Sequence, residues 1–361
     1  MKKIVRVFRL FFLISIFAFV IGGCSNKTSE VDEIVSEVAE SESDADTVED
    51  VSEPRPKKAV FITENALGND FVDLIWSGFQ TLEEEGWEVK CIEALDSAEY
   101  ADDIRAMAAD GYTVIMTWAD NISNVALDLA DELYEQYPET RLFLLDTYME
   151  HDKPNCTTVS VDPFESSFVA GFVAAKTTET KTIGWIGHTD VLKIRRFRDG
   201  FIAGAAYADP TVEVVYSFTG DYLDPTKGLE AGKAMIANYP VDIIYQACYL
   251  AGPGVIQACA EGGIQCIGVD DWQGDLDPSV FWSAIKPMDN AVTTLAHMWL
   301  EDAEFAKSID FNIAAGGRVY DDRDLVELPE ELQAEVLQLV EDIRSGEVDV
   351  YENFEEYRLS Y

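Results

Sequence analysis

From Ala59 onward the chain alternates short apolar runs with longer stretches of helical spacing. The first run is Ala59–Thr63. Phe71, Leu74, Ile75, Phe79 and Leu82 then recur at three- and four-residue steps, which predicts a helix over Asp70–Glu85. The same reading predicts strands at Trp87–Ala94, Tyr112–Trp118, Arg141–Thr147 and Thr157–Val161, with helices at Ala98–Asp110 and Asn121–Tyr137. Further along it predicts helices at Glu165–Thr178, Val191–Tyr207, Thr226–Asn238 and Gly254–Glu261. Between and after these lie strands at Thr182–His188, Val212–Phe218, Val241–Cys248, Ile264–Val269 and Phe281–Ile285. Helices at Met288–Ala306 and Glu330–Ile343 complete the series. Continuous apolar strands between amphipathic helices imply parallel sheets covered on both faces. This many strands requires two α/β lobes. Pro163 and the segment Ser283–Pro287 punctuate the pattern where the chain is expected to cross between them. The expected lobes are 59–162 with 284–312, and 163–283 with 313–361.

The first 58 residues do not share this pattern. Lys2, Lys3, Arg6 and Arg9 precede an apolar run from Leu10 to Ile21, shorter than the ~20 residues of a comfortable membrane span. This reads as an export signal over residues 1–23. Ile21-Gly22-Gly23-Cys24 resembles a bacterial lipobox, which implies a diacylglycerol thioether on Cys24 and cleavage before it. The alternative is an ordinary signal peptide, or a signal anchor, with an incidental cysteine. Two or three acyl chains give stable anchoring where one is marginal, so the expected location is the extracytoplasmic face of the cell membrane. Residues 24–58 read as an extended acidic tether.

Composition narrows the function. Lys plus Arg number 26 and Asp plus Glu 68 in 361 residues, a formal charge of −42. Such a surface excludes general affinity for nucleic acid. No basic cluster is evident in the sequence, which disfavours a phosphorylated ligand, and Arg195 and Arg196 read as an exposed helix face. Three histidines leave little room for a His-rich metal site. The five cysteines after Cys24 form no CxxC pair; they read as buried thiols, with a Cys259–Cys266 disulfide as the alternative. Gly252-Pro253-Gly254 invites a dinucleotide reading, but Gln257 stands where the third glycine belongs. No cofactor is expected. Asp270 and Asp271 are adjacent carboxylates of the kind used in acid–base work, in a chain where acidic pairs arise by chance.

Several segments, in order, resemble the basic membrane protein family of substrate-binding lipoproteins. They are Glu165–Thr178 (ESSFVAGFVAAKTT), Lys181–Gly187 (KTIGWIG), Arg196–Gly204 (RFRDGFIAG) and Asp242–Ala247 (DIIYQA). Gly252–Val255, Ile267–Asp270, Ser283–Lys286 and Ile343–Asp349 extend the likeness. The resemblance implies a type I periplasmic-binding fold: two Rossmann-like lobes joined by a hinge, closing over a ligand. It implies capture of a purine nucleoside or related nucleobase compound for an ABC importer, with permease and ATPase subunits as partners and a monomeric receptor. The other readings are a ligand sensor without a transport role and, less favoured, a nucleoside-processing enzyme.

By position, the resemblance implies that Phe71 and Phe218 sandwich the base and that Asp270 grips the ribose. It implies that Lys286 pairs with that carboxylate or the sugar, that Asp146 is a cleft aspartate, and that the amides of Gly252 and Gly254 face the cleft. Trp118, at the end of a strand, is a further candidate wall. Asn69 and Asp70 stand where a base edge would be read, Asn69 with both donor and acceptor. Asp120, Asp271 and Trp272 are weaker candidates.

Overall fold

The computed structural model describes residues 55–68 and 70–354; of Asp70 it describes the backbone alone. The expected signal segment, Cys24, most of the tether and Asn69 lie outside the described residues. The tether was expected to run to Lys58. Instead Arg55 lies over the Trp299 ring, 3.9 Å from its centroid, and donates to the Trp299 carbonyl at 2.7 Å, while the first strand already starts at Lys58.

Two all-parallel sheets account for the strands. The first comprises β1 (Lys58–Thr63), β2 (Glu88–Glu93), β3 (Val114–Trp118), β4 (Arg141–Leu145), β5 (Cys156–Ser160) and β11 (Ser308–Asp310), ordered β2-β1-β3-β4-β5-β11. The second comprises β6 (Thr182–Gly187), β7 (Glu213–Phe218), β8 (Ile243–Ala247), β9 (Gln265–Asp270) and β10 (Val280–Ile285), ordered β7-β6-β8-β9-β10. Both follow the doubly wound order second-first-third-fourth-fifth. β5 and β8 are buried at every position, whereas edge strands β2 and β7 carry exposed and half-buried residues. Glu88 and Lys90 on β2 and Glu213 on β7 put charge on those edges.

Each sheet is covered on both faces. In the first lobe, α1 (Asp70–Glu84) and α8 (Met288–Leu300) cover one face, and α2 (Tyr100–Ala109) and α3 (Asp120–Gln136) the other. In the second, α4 (Phe164–Thr177), α5 (Leu192–Ala208) and α10 (Glu330–Ser345) share one core, and α6 (Pro225–Asn238) and α7 (Gly252–Gly262) the other. Core membership places the crossings. Val161 packs in the first lobe and Phe164 in the second; Ala284 in the second and Met288 in the first; Phe311 in the first and Ile313 in the second. Residues 284 and 285 were expected in the first lobe, but β10 carries them in the second sheet, where Ile285 pairs with Asp270.

The helix expected to reach Ala306 ends at Leu300, and Asp302 turns the chain with φ +59°. The chain then runs through irregular residues to β11, where Ser308 pairs with Thr158. The crossings are also pinned by buried polar contacts. Glu165 accepts the Ile313 N–H at 2.7 Å, and burial pushes its carboxyl up to about 7. Arg196, expected on an exposed face, is buried in an ion pair with Asp162, to which the Tyr351 hydroxyl donates at 3.0 Å. Arg195 does face outward, paired with Asp190 at 2.6 Å.

Helices α4 and α5 approach closely because glycines stand at their contact. A Cβ on Gly204 would lie 1.8 Å from the Phe168 carbonyl oxygen, and one on Gly171 2.1 Å from that of Phe201. Gly204→Ala is expected to lower unfolding free energy by about 1–3 kcal/mol, read as a lower denaturant midpoint with an unchanged slope.

Candidate functional site

In doubly wound sheets ligands bind beyond the carboxyl ends of the strands, where the strand order reverses. Both lobes direct those ends to one cavity of about 380 Å³, toward the small end of the ~300–1,000 Å³ usual for small-molecule sites. The first lobe supplies Phe71 from the start of α1, Trp118 from the end of β3 and Asp146 just after β4. The second supplies His188 after β6, Tyr222 after β7, Tyr249 after β8 and Asp270 at the end of β9, with Lys193 and Phe197 from α5. Lys286 enters from a crossing segment.

Backbone strain is concentrated here. Ala119, Asp146, Tyr249 and Asp270 all follow or end strands in left-handed geometry, at φ +87°, +55°, +53° and +68°. Such conformations cost about 1–3 kcal/mol each in non-glycine residues and persist where surrounding structure enforces them. Here they turn the chain sharply at the strand ends and bring polar side chains to the cavity.

Its walls are largely aromatic. Phe71 and Trp118 meet with centroids 5.2 Å apart and planes tilted by 47°. Tyr222 lies 5.8 Å from His188, edge-on, and 6.2 Å from Tyr249. The Lys286 ammonium stands 5.1 Å from the Phe71 centroid. Burial lowers the His188 pKa, so the imidazole is neutral at physiological pH, and its Nδ1 lies 2.7 Å from the Thr189 hydroxyl.

The polar floor is a set of four charges. Asp146 and Lys286 side chains are each 3% exposed, and Lys286 Nζ donates to Asp146 Oδ1 at 2.6 Å. Lys193 Nζ pairs with the other oxygen, Oδ2. Burial opposes charge on Asp146, but the two ammonium groups outweigh it and hold the carboxyl below its usual range. Asp270 differs. Its Oδ1 is buried with no hydrogen-bond partner among the described residues. Burial pushes its carboxyl up to about 6, with Lys286 working against that rise.

Of the residues expected at the site, Phe71, Trp118, Asp146, Asp270 and Lys286 line this cavity. Phe218 does not. It ends edge strand β7 and packs edge-on against Trp185, 5.6 Å away, within its own lobe. The nearby ring that lines the cavity is Tyr222, in the loop before the Asp224 cap of α6. Its position between a strand end and a capped Asp-Pro helix start was the available sequence signal. Gly252 and Gly254 are also not lining residues. A Cβ on Gly254 would sit 1.8 Å from the Pro225 carbonyl oxygen and one on Gly252 2.5 Å from Gln246 Oε1, so both permit close packing. Asp120 lines a neighbouring hollow, and Asp271 and Trp272 line a separate one beside α1. Lys193, His188 and Phe197 were not anticipated. The basic groups absent from any sequence cluster converge here from distant segments, and Asp146 engages both. The five thiols are free, four of them buried.

The raised Asp270 pKa makes a stability prediction. An acid whose folded pKa exceeds its unfolded value stabilises the fold fully below the unfolded value, and that contribution is lost as pH rises through about 6. Asp270→Asn is therefore expected to stabilise the ligand-free protein at pH 7.5 by about 3 kcal/mol, the gain vanishing below about pH 4. Denaturant melts at the two pH values check it; equal gains at both would contradict it.

Comparison with known proteins agrees with this architecture. The Bmp family, described as ABC transporter substrate-binding protein PnrA-like, matches residues 56–353. Basic membrane protein A of Borreliella burgdorferi is 27% identical over 314 residues, covering 84% of this chain and 89% of that protein. The ABC transporter nucleoside-binding protein BmpA of Lactococcus lactis is 26% identical over 205 residues, covering 55% and 57%. Among solved structures, an ABC transporter solute-binding protein from Conexibacter woesei superposes with a TM-score of 0.68 at 19% identity, covering 81% of this chain and 97% of that one. A protein titled a transcriptional activator of the comK gene, from Bacillus halodurans, gives 0.69 at 17% identity over 81% and 99%. The structural likenesses show the shared two-lobed fold. Among the described residues no helix is long and apolar enough to cross a membrane. The chain belongs to the Bmp family: it is an ABC transporter substrate-binding protein, which takes a small molecule on the extracytoplasmic side and presents it to transporter subunits in the membrane.

Proposed function

We propose that this receptor captures a purine nucleoside, held to the membrane by lipid on Cys24, and delivers it unaltered to its permease. The observation that carries the reading is Asp270. A carboxylate oxygen, buried at the wall of an aromatic cavity and lacking a partner among the described residues, is an acceptor placed for a ligand's hydroxyl donors. Vicinal ribose hydroxyls are such donors, and their bonds to an ionised carboxylate are of the stronger, charge-assisted kind. The rings of Phe71 and Trp118 from one lobe, and Tyr222 and Phe197 from the other, suit the flat faces of a base. Base stacking on such rings contributes about 1–3 kcal/mol.

The charges fit an uncharged ligand. Lys193 and Lys286 are engaged by Asp146, so neither is free to compensate a phosphate. The name of the Lactococcus lactis relative, a nucleoside-binding protein, supports the same class.

Calorimetric titration tests the reading. Adenosine, guanosine or inosine is expected to bind with one-to-one stoichiometry, and free ribose or glucose much more weakly. Asp270→Asn is expected to weaken binding about 100-fold, the loss of roughly 3 kcal/mol of charge-assisted bonding. Tyr222→Ala is expected to weaken it about 10-fold. Because the ligand prefers ionised Asp270, affinity should fall as pH drops through about 6. Sugars binding as tightly as nucleosides, or an Asp270→Asn variant with unaltered affinity, would overturn the proposal.

A further inference from the structure

The two lysines on Asp146 are not equivalent. Lys286 lies in the crossing between β10 and α8, and its amide donates to the Asp270 carbonyl at 2.7 Å. Its backbone is thus tied to second-lobe strand β9 at the crossing itself, where rotation of the lobes displaces it least. Lys193 rides on the first turn of α5, in the second lobe, while Asp146 follows a strand of the first. Its ammonium reaches across the cleft to Asp146 Oδ2 and lies 3.5 Å from the Asp146 carbonyl oxygen. Of the two contacts, this one joins a second-lobe helix, away from the crossing, to the end of a first-lobe strand.

Its position makes it a partition. Lys193 and Asp146 line the ligand cavity, and both also line a neighbouring hollow of about 630 Å³ edged by Asp120, Tyr148 and Arg196. The ion pair therefore stands between the ligand and that hollow. We propose that Lys193 is a positioning residue that latches the lobes: it closes this side of the cleft by clasping Asp146 and so sets how long a bound ligand is retained.

The energetics suit a reversible latch. Breaking a buried ion pair is costly when one charge is left alone in the interior. Here Asp146 keeps Lys286 when Lys193 leaves. Lys193, with its side chain 44% exposed, passes readily into water. Because the pair joins a half-exposed lysine to a carboxylate only 3% exposed, salt screens it in part. The latch thus adds a modest closing bias that thermal motion and ionic strength can reverse. The inference rests on the ABC substrate-binding role and on no particular ligand.

Small-angle scattering of the ligand-free protein and its Lys193→Met and Lys193→Arg variants tests it. In 50 mM NaCl, Lys193→Met is expected to shift to a larger radius of gyration, and Lys193→Arg to match the unsubstituted protein. In 1 M NaCl the unsubstituted protein should expand toward Lys193→Met, which itself should not respond. Thermal melts show that each variant is folded. With guanosine as the probe, stopped-flow dissociation from Lys193→Met should be roughly 5- to 10-fold faster, at the low end of interlobe coupling. Unaltered scattering in Lys193→Met overturns the latch. If its guanosine affinity falls while its ligand-free shape is unchanged, Lys193 is a ligand contact instead, which equally overturns it. The scattering arms hold even if guanosine does not bind, so failure of the nucleoside reading is seen separately.

Discussion

A carboxylate sealed from water keeps its charge only with compensating partners, and Asp146 obtains two cations from outside its own lobe. One comes from a crossing segment and one from the opposing lobe. That requirement organises the cleft. It fixes where the end of β4 faces, draws the first turn of α5 toward the other lobe, and places the Lys286 ammonium against the Phe71 ring. Aromatic walls alone would form a nonspecific greasy slot. With the ion triad at their base they become a cavity with a defined floor, in which Asp270 is the acceptor left open.

The contrast between Asp146 and Asp270 shows how burial can yield opposite outcomes. Both follow or end strands in left-handed geometry and both are carboxylates of the cleft. Two ammonium groups hold Asp146 charged, whereas Asp270 is left with an oxygen that has no partner among the described residues and a raised pKa. The first is satisfied structure. The second is stored cost, of the kind that functional sites carry and that a bound partner relieves.

The sheets were legible because burial on both faces leaves an unbroken apolar signature, as in Ile243–Ala247, and helical spacing is equally explicit in Phe71 through Leu82. Its place at a strand end made Trp118 visible as a cleft position, while the family resemblance pointed to Asp146 and Asp270, and the fold class directs all three strand ends to the site. Phe218 and Tyr222 mark where this logic fails. Both are aromatic and near the end of β7, but the edge strand turns Phe218 onto Trp185, and only the loop geometry carries Tyr222 to the cavity. Lys193 and Arg196 were illegible for another reason. Their partners, Asp146 and Asp162, are 47 and 34 residues away. Charge on a helix looks solvent-facing until the fold supplies the opposite charge.

The interleaving of the lobes bears on how the chain matures. The first lobe's sheet is finished by β11 and one of its two layers by α8, with Val292, Leu295 and Trp299 among the core residues contributed. These segments follow the whole second sheet in the chain. As the polypeptide emerges N-terminus first, the early lobe must therefore wait, its apolar face incomplete, until nearly 300 residues have appeared. Such late completion delays compaction, which favours a chain that has to thread through a translocation pore before it folds.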